Sequence, residues 1–328
     1  MNRRFSIITL FVMIFLMMIA ELKAKTLYVV TRSTKTYRIG QLENPVVGLF
    51  STEDRGVTWR HYGWPYTKCF SASMMNDDIY LSCGNGVLKS NDSGDSWIIS
   101  TGWKMTECLK TAIDVTDPDI VYSATAYGIF RTADGGETWK EKNAGLASTF
   151  TPAVIIDRSD SRRLFCATES GIHRSENRAD TWEPVALLGK GIRTIVQHPE
   201  EGDLLAVGTE DDGVFISTDH GRTWIQMNNG LTTKTVYAVA FASQNADVIY
   251  TGTFRGGIFK SSDGGKHWKA VNTDLKNLDI HALLVDPDNI DIVYAGTLND
   301  GVWMSTNAGA SWKFIGLETS QVWDMLFH

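Results

Sequence analysis

Between Val236 and Trp268 apolar and polar residues alternate in short runs separated by glycine and aspartate. Val236–Phe241 (VYAVAF), Val248–Thr253 (VIYTGT) and Gly257–Ser261 (GIFKS) are followed by the turn Ser-Asp-Gly-Gly-Lys, and Trp268 opens a fourth run. Period-two alternation bounded by turn residues predicts four antiparallel strands joined by tight reversals. The same succession recurs in Val121–Thr125 with Gly128–Thr132, and in Ile292–Thr297 with Gly301–Ser305. Each unit closes on a tryptophan: Trp59, Trp97, Trp139, Trp182, Trp224, Trp268 and Trp312, spaced 38, 42, 43, 42, 44 and 44 residues apart. A period near forty built from short strands is the mark of a radial β architecture. The expected fold is therefore all-β, a seven-bladed propeller of four-stranded blades over residues 25–328.

The ends of the chain predict how the ring closes. Val322–Phe327 matches the first strand of a unit with nothing after it, whereas Leu27–Thr31 and Gly48–Thr52 match a second and third strand with no first. The last strand is therefore expected to complete the first blade and hide its edge.

The turn before each tryptophan reads Ser/Thr-x-Asp-x-Gly-x-Thr/Ser-Trp, with Asp54, Asp92, Asp134, Asp219 and Asp263 at the acidic position. A short carboxylate bonds backbone amides in a tight turn, glycine takes the positive φ of the reversal, and tryptophan brings apolar surface to the blade. These residues are structural rather than catalytic. Three copies depart from the pattern: Asn177 with Ala179, Asn307, and His267 in place of threonine. Those turns are expected to be looser.

Residues 1–24 have the layout of an export signal: Arg3 and Arg4, an apolar stretch from Phe5 to Ala20, and the small Ala24 as a cleavage position. The stretch is short for a membrane span and no later run is long enough. A periplasmic or extracellular chain beginning near Lys25 is expected. Loss of Arg3, Arg4, Lys23 and Glu21 takes the formal charge from −7 to −9. That balance argues against general nucleic-acid binding. Export permits disulfides. Cys69 and Cys83 should lie opposite each other across a hairpin, so a bridge between them is possible, with Cys108 as a competing partner. Alternatively all four cysteines, Cys166 included, are small buried hydrophobes.

Strand order places two sets of loops on one face: those between blades, and those between second and third strands. The channel opens there. Aligning the second residue of each first strand gives Phe70, Leu109, Pro152, Arg193, Tyr237, His281 and Trp323 around this mouth. Loops of the same face add Trp64, Tyr66, Trp103, Tyr127, Phe254 and Arg255, with Glu169, Glu210, Asp211, Asp212 and Asp300. Flat aromatics beside polar groups suit a sugar ring or an extended peptide. The first blade also carries a long insertion, Arg32 to Pro45, whose cations Arg32, Lys35 and Arg38 and whose Tyr37 make it a candidate binding loop.

The repeated turn resembles the Asp-box, or bacterial neuraminidase repeat, of sialidases, xyloglucan-processing glucanases, sortilin-type receptors and photosystem II assembly factors. Tyr37-Arg38-Ile39-Gly40 resembles the Phe/Tyr-Arg-Ile-Pro start of sialidases, in which Arg38, Arg193 and Arg255 would converge on a carboxylate. Gly40 replaces the proline, however, and sialidases have six blades. A glycosidase needs two carboxyls at a set separation. Glu169, Glu210, Asp211, Asp300 and Asp324 are available, but spacing singles out no pair. One propeller, an export signal and a box in every blade are most similar to the photosystem II assembly factors. That resemblance implies a non-catalytic scaffold that holds a polypeptide during assembly. The expectation for this chain is a monomeric binding scaffold for a polypeptide or a glycan, without metal or cofactor. A glycoside hydrolase is the alternative.

Overall fold

The computed structural model describes residues 25–32, 46–64 and 67–328. The expected export signal, together with Lys35, Tyr37, Arg38 and Tyr66, lies outside the described residues. The chain folds into seven four-stranded antiparallel sheets. It is a seven-bladed β-propeller. From blade 1 to blade 7 the innermost strands are Gln321–Phe327, Cys69–Met75, Cys108–Ile113, Ala153–Ile156, Ile192–Gln197, Val236–Ala242 and Ile280–Val285.

Blade 1 is completed as the sequence predicts. Gln321–Phe327 pairs antiparallel with Leu27–Arg32, from Arg32 opposite Gln321 to Leu27 opposite Phe327. Beyond the ladder, the Thr26 and His328 amides each donate to the other's carbonyl, at 3.2 and 3.1 Å. The closing seam buries Leu27, Val29, Tyr294, Val322 and Met325 in one cluster, as the seam between blades 6 and 7 buries Tyr250, Ile280, Trp303 and Trp312. Stability thus resides largely between neighbouring sheets, where the hydrophobic faces meet.

The repeated turns tie each blade internally. In blade 3, Thr132 Oγ1 donates to Asp134 at 2.7 Å and accepts the Gly136 amide at 2.8 Å. Asp134 also accepts the Thr138 amide at 2.8 Å. These bonds favour the carboxylate form and lower the pKa of Asp54, Asp92, Asp134 and Asp219 to about 2. The variant turns are not looser. Asn177 Oδ1 accepts the Thr181 amide at 2.9 Å while its Nδ2 donates to Thr181 Oγ1 at 2.9 Å, and Asn307 repeats this with Ser311 at 2.9 and 3.0 Å. The hydroxyl merely changes from donor to acceptor. His267 Nδ1 likewise meets Asp263 at 2.7 Å, replacing the threonine hydroxyl.

The tryptophans divide into two groups. Trp182, Trp268 and Trp312 are buried and donate their indole N–H to Lys142, Met227 and Val271 carbonyls of the preceding blade, at 2.8, 2.9 and 2.7 Å. Trp59 and Trp139 reach Ile315 O and Ser100 Oγ in the same way. Trp97 and Trp224 are half-buried and instead cap their own turns through Gly94 O and Gly221 O. Most copies therefore staple one blade to the next.

Cys69 and Cys83 lie opposite each other as expected, yet they are two free thiols with sulfurs 3.1 Å apart. Cys108 and Cys166 are also free and buried. Burial holds the Cys83 thiol well above its ordinary range and pushes Cys108 up to about 12, so all four behave as buried small side chains.

Candidate binding site at the channel mouth

Backbone hydrogen bonds fix which loops share a face. The Ser93, Gly135, Arg178, His220, Gly264 and Ala308 amides of the repeated turns each donate to the turn between first and second strands of their own blade. On the opposite face, Ala126, Glu210, Phe254 and Leu298, in loops between second and third strands, donate to Glu107, Gly191, Thr235 and Asp279 in the loops that enter those blades. The mouth residues therefore stand apart from the structural turns.

Each aligned mouth residue reaches the channel through a local backbone device. The pairing of first and second strands skips Phe70, Leu109, Arg193, Tyr237 and His281, each the second residue of its strand. Blade 1 skips Trp323 in the same way. A bulge leaves its extra residue unpaired and re-aims the side chain. In blade 4 the strand begins after Pro152, which has no amide to donate.

Four bulge residues and one loop residue form a continuous aromatic arc. Phe70 meets Trp323 with ring centres 5.3 Å apart, Trp323 meets His281 at 5.1 Å, His281 meets Tyr237 at 4.5 Å, and Tyr237 meets Phe254 at 6.0 Å. Burial drives the His281 pKa down to about 4, with Asp279 acting the other way, so the ring is neutral near pH 7. On blade 5 Arg193 is ion-paired with Glu210, and Lys190 pairs with Asp212 at 2.8 Å.

The ring lines a cavity of about 1480 Å³ that runs past aliphatic residues of the innermost strands such as Ile155, Ile195, Val239 and Leu283 to Val115, Pro199 and Asp288 in turns of the opposite face. One ion pair crosses it. Lys110 of blade 3 meets Asp324 of blade 1 at 2.8 Å, and the Ala72 amide of blade 2 also donates to Asp324 at 3.3 Å. Lys110 escaped the sequence reading. Aligning the residue that follows each mouth position gives Ser71, Lys110, Ala153, Thr194, Ala238, Ala282 and Asp324, a row in which the only two charges find each other.

Trp64, Trp103 and Tyr127 stand free on the surrounding loops, with 42%, 85% and 56% of their surface exposed. Arg255 lies over the Phe254 ring at 4.7 Å. Asp300 has a buried oxygen with no hydrogen-bond partner. A three-arginine carboxylate clamp is not assembled from the described residues: Arg193 is engaged by Glu210 and Arg255 by an aromatic face, and Arg38 lies outside them. Among the described residues no three histidine, cysteine or carboxylate side chains gather as metal ligands, and no helix is long and apolar enough to cross a membrane.

This architecture is shared with several solved structures. A GH74 enzyme from Niastella koreensis superposes with a TM-score of 0.61 at 19% identity, over 74% of this chain and 44% of the enzyme. The extracellular domain of BT4673 from B. thetaiotaomicron superposes at 0.65 and 14% identity, over 84% of this chain and 40% of that one. YCF48 from Cyanidioschyzon merolae matches at 0.58 and 17% identity, over 87% of this chain and 96% of its own length. YCF48 has also been solved bound to a D1 peptide, matching at 0.58 and 18% identity over 77% and 84% of the two chains. The chain thus spans less than half of the enzyme and the BT4673 domain, but most of YCF48. No family model matches the sequence, and no curated protein does. At these identities the likeness is one of fold.

Proposed function

We propose that the protein is an exported, non-catalytic scaffold that captures a polypeptide or glycan on the channel-mouth face. The observation that carries this reading is the set of strand bulges at one register, which turns an aromatic arc and an arginine towards the opening of a large cavity. A bulge disrupts ladder hydrogen bonds, and its repetition at the mouth favours display of side chains over sheet regularity. Trp103 and Tyr127 extend the surface outward, where rigid aromatic side chains contribute much contact area at little entropic cost. The signal-like residues 1–24 support export, and the likeness to extracellular domains agrees with it. The match to YCF48, over 96% of one chain and 84% of a peptide-bound one, supports capture of a polypeptide.

Capture of a native partner tests this. Tyr237→Ala with Trp103→Ala should abolish co-purification, whereas Val115→Ala, in a turn of the opposite face, should leave it intact. Equal capture by all three proteins would overturn the reading. The unpartnered Asp300 oxygen and the likeness to GH74 enzymes favour glycoside hydrolysis as the second reading. The Arg193–Glu210 and Lys110–Asp324 pairs weigh against it, because each occupies a carboxylate that would have to serve as acid, base or nucleophile. Turnover of a fluorogenic glycoside panel, abolished by Glu210→Gln or Asp300→Asn, would establish the enzyme instead.

A further inference from the structure

We infer that the channel mouth recognises a carboxylate borne by an acidic peptide, received by Arg32 and Trp323; this rests on the channel-mouth reading above. Arg32 ends the second strand of blade 1, opposite Gln321. Its guanidinium carbon lies 5.3 Å from the centre of the Phe70 ring and 5.8 Å from that of Trp323. Of the other cations at the mouth and in the channel, Lys110, Arg193 and Lys190 each hold a carboxylate, whereas the exposed Arg255 lies over the Phe254 ring on an outer loop. Arg32 holds none among the described residues, and its Nε is buried without an acceptor. Trp323 Nε1, on one of the two rings beside it, is buried and unpartnered as well.

Both orphaned groups are donors, and neither side chain can accept. A buried donor without a partner is unfavourable, so the site is completed by a ligand that brings acceptor oxygens. A carboxylate matches the guanidinium fork in shape and charge. The adjoining arc then selects the kind of molecule. Phe70 and His281 meet Trp323 at interplanar angles of 85° and 67°, so edges of neighbouring rings occupy ring faces. Such a wall packs against apolar side chains and offers little open plate for a sugar to stack on. The ligand expected is an extended peptide with aspartate or glutamate next to a bulky apolar residue. The formal charge of −7 for the whole chain does not oppose this strongly, because charges beyond roughly 8 Å are screened at physiological salt.

The probes are fluorescein-labelled poly(Glu,Tyr), poly(Lys,Tyr) and polygalacturonate, titrated with the purified protein by fluorescence anisotropy. Poly(Glu,Tyr) should bind, more weakly as salt rises, and the other two should not. Arg32→Gln should weaken binding by about tenfold, the scale of one charge-assisted pair, and remove most of the salt dependence. Its melting temperature should change little, since Nε has no hydrogen-bond partner and only the ring contacts with Phe70 and Trp323 are lost. Trp323→Phe, which keeps the ring and deletes the donor, should weaken binding about threefold to tenfold. Arg162→Gln, an exposed charge in the opposite-face turn of blade 4, should have no effect. Failure of poly(Glu,Tyr) to bind, binding untouched by Arg32→Gln, or equal or tighter binding of polygalacturonate would each overturn the inference. If Tyr237→Ala weakens binding and Arg32→Gln does not, the carboxylate site falls while the mouth reading stands. If neither does, both fall.

Discussion

Replacing Trp268 by alanine should destabilise the propeller far more than the same change at Trp224, although both occupy the last position of the same turn. Trp268 is 4% exposed and packs in a cluster with Leu204, Val214, Ile216 and Phe259 drawn from blades 5 and 6. A buried indole removes roughly 200 Å² from water, which at about 25 cal/mol/Å² corresponds to about 5 kcal/mol. Alanine retains a small part of that and the cavity relaxes only partly, so a cost of about 3–5 kcal/mol follows. Met227 O also loses the indole donor that bridges the seam at 2.9 Å. Trp224 is half-buried and its N–H caps Gly221 within its own turn at 3.1 Å, so about 1–2 kcal/mol is expected there. In thermal unfolding the first variant should melt roughly 10 °C lower and the second only a few degrees lower. Equal shifts for the two, or a shift of Trp268→Ala below that of Trp224→Ala, would refute the division into inter-blade staples and local caps.

Gly296 tests the closing seam: a methyl group there would stand 2.3 Å from Val322 Cγ1, as one at Gly252 would stand 2.5 Å from Ile280 Cγ2. Each alanine variant should cost about 1–3 kcal/mol by overpacking, and a silent Gly296→Ala beside a destabilised Gly252→Ala would show the last strand to be loosely held. His281 has a folded-state pKa of about 4 against an ordinary 6.5, so the unfolded chain takes up its proton first as pH falls. Stability should therefore drop by up to about 3 kcal/mol between pH 6.5 and 4. His281→Phe should remove that slope in denaturant titrations, leaving only the smaller slope of the same sign from buried His173. The turn aspartates, lowered from 3.8 to about 2, lose their contribution only as pH falls from 3.8 towards 2. An acid transition in that window should be shifted by Asp134→Asn less than by Asp134→Ala, because the amide at Asn177 already makes the same bonds.

The ring was legible because its determinants are local and repeated. Alternating runs, a glycine-bearing turn and a terminal tryptophan recur with little change, and an unmatched strand at each end leaves one way to close. The mouth positions were legible for the same reason, since an alignment of units fixes depth in the channel. The bulges that aim them were not. A glycine stands opposite only three of them, Gly208, Gly252 and Gly296, and the skipped residues range from Leu109 to Arg193. Pairing was also hidden: nothing in the order of residues announces that Arg193 meets Glu210, that Lys110 meets Asp324 across 214 positions, or that Arg32 finds aromatic rings but no carboxylate among the described residues. The reading of Asn177 and Asn307 as weak points failed because it counted carboxylates, whereas the turn needs an acceptor for one amide and any partner for one hydroxyl.

The proposed role of the channel mouth is tested most directly by photo-crosslinking in the native cell. The residue p-benzoylphenylalanine would replace Trp103 or Tyr127 at the mouth, or Val115 on the opposite face, where Val115 is 72% exposed. Mouth capture predicts a discrete crosslinked partner from positions 103 and 127 and none from 115. Crosslinks from 115 with none from 103 or 127 would contradict it.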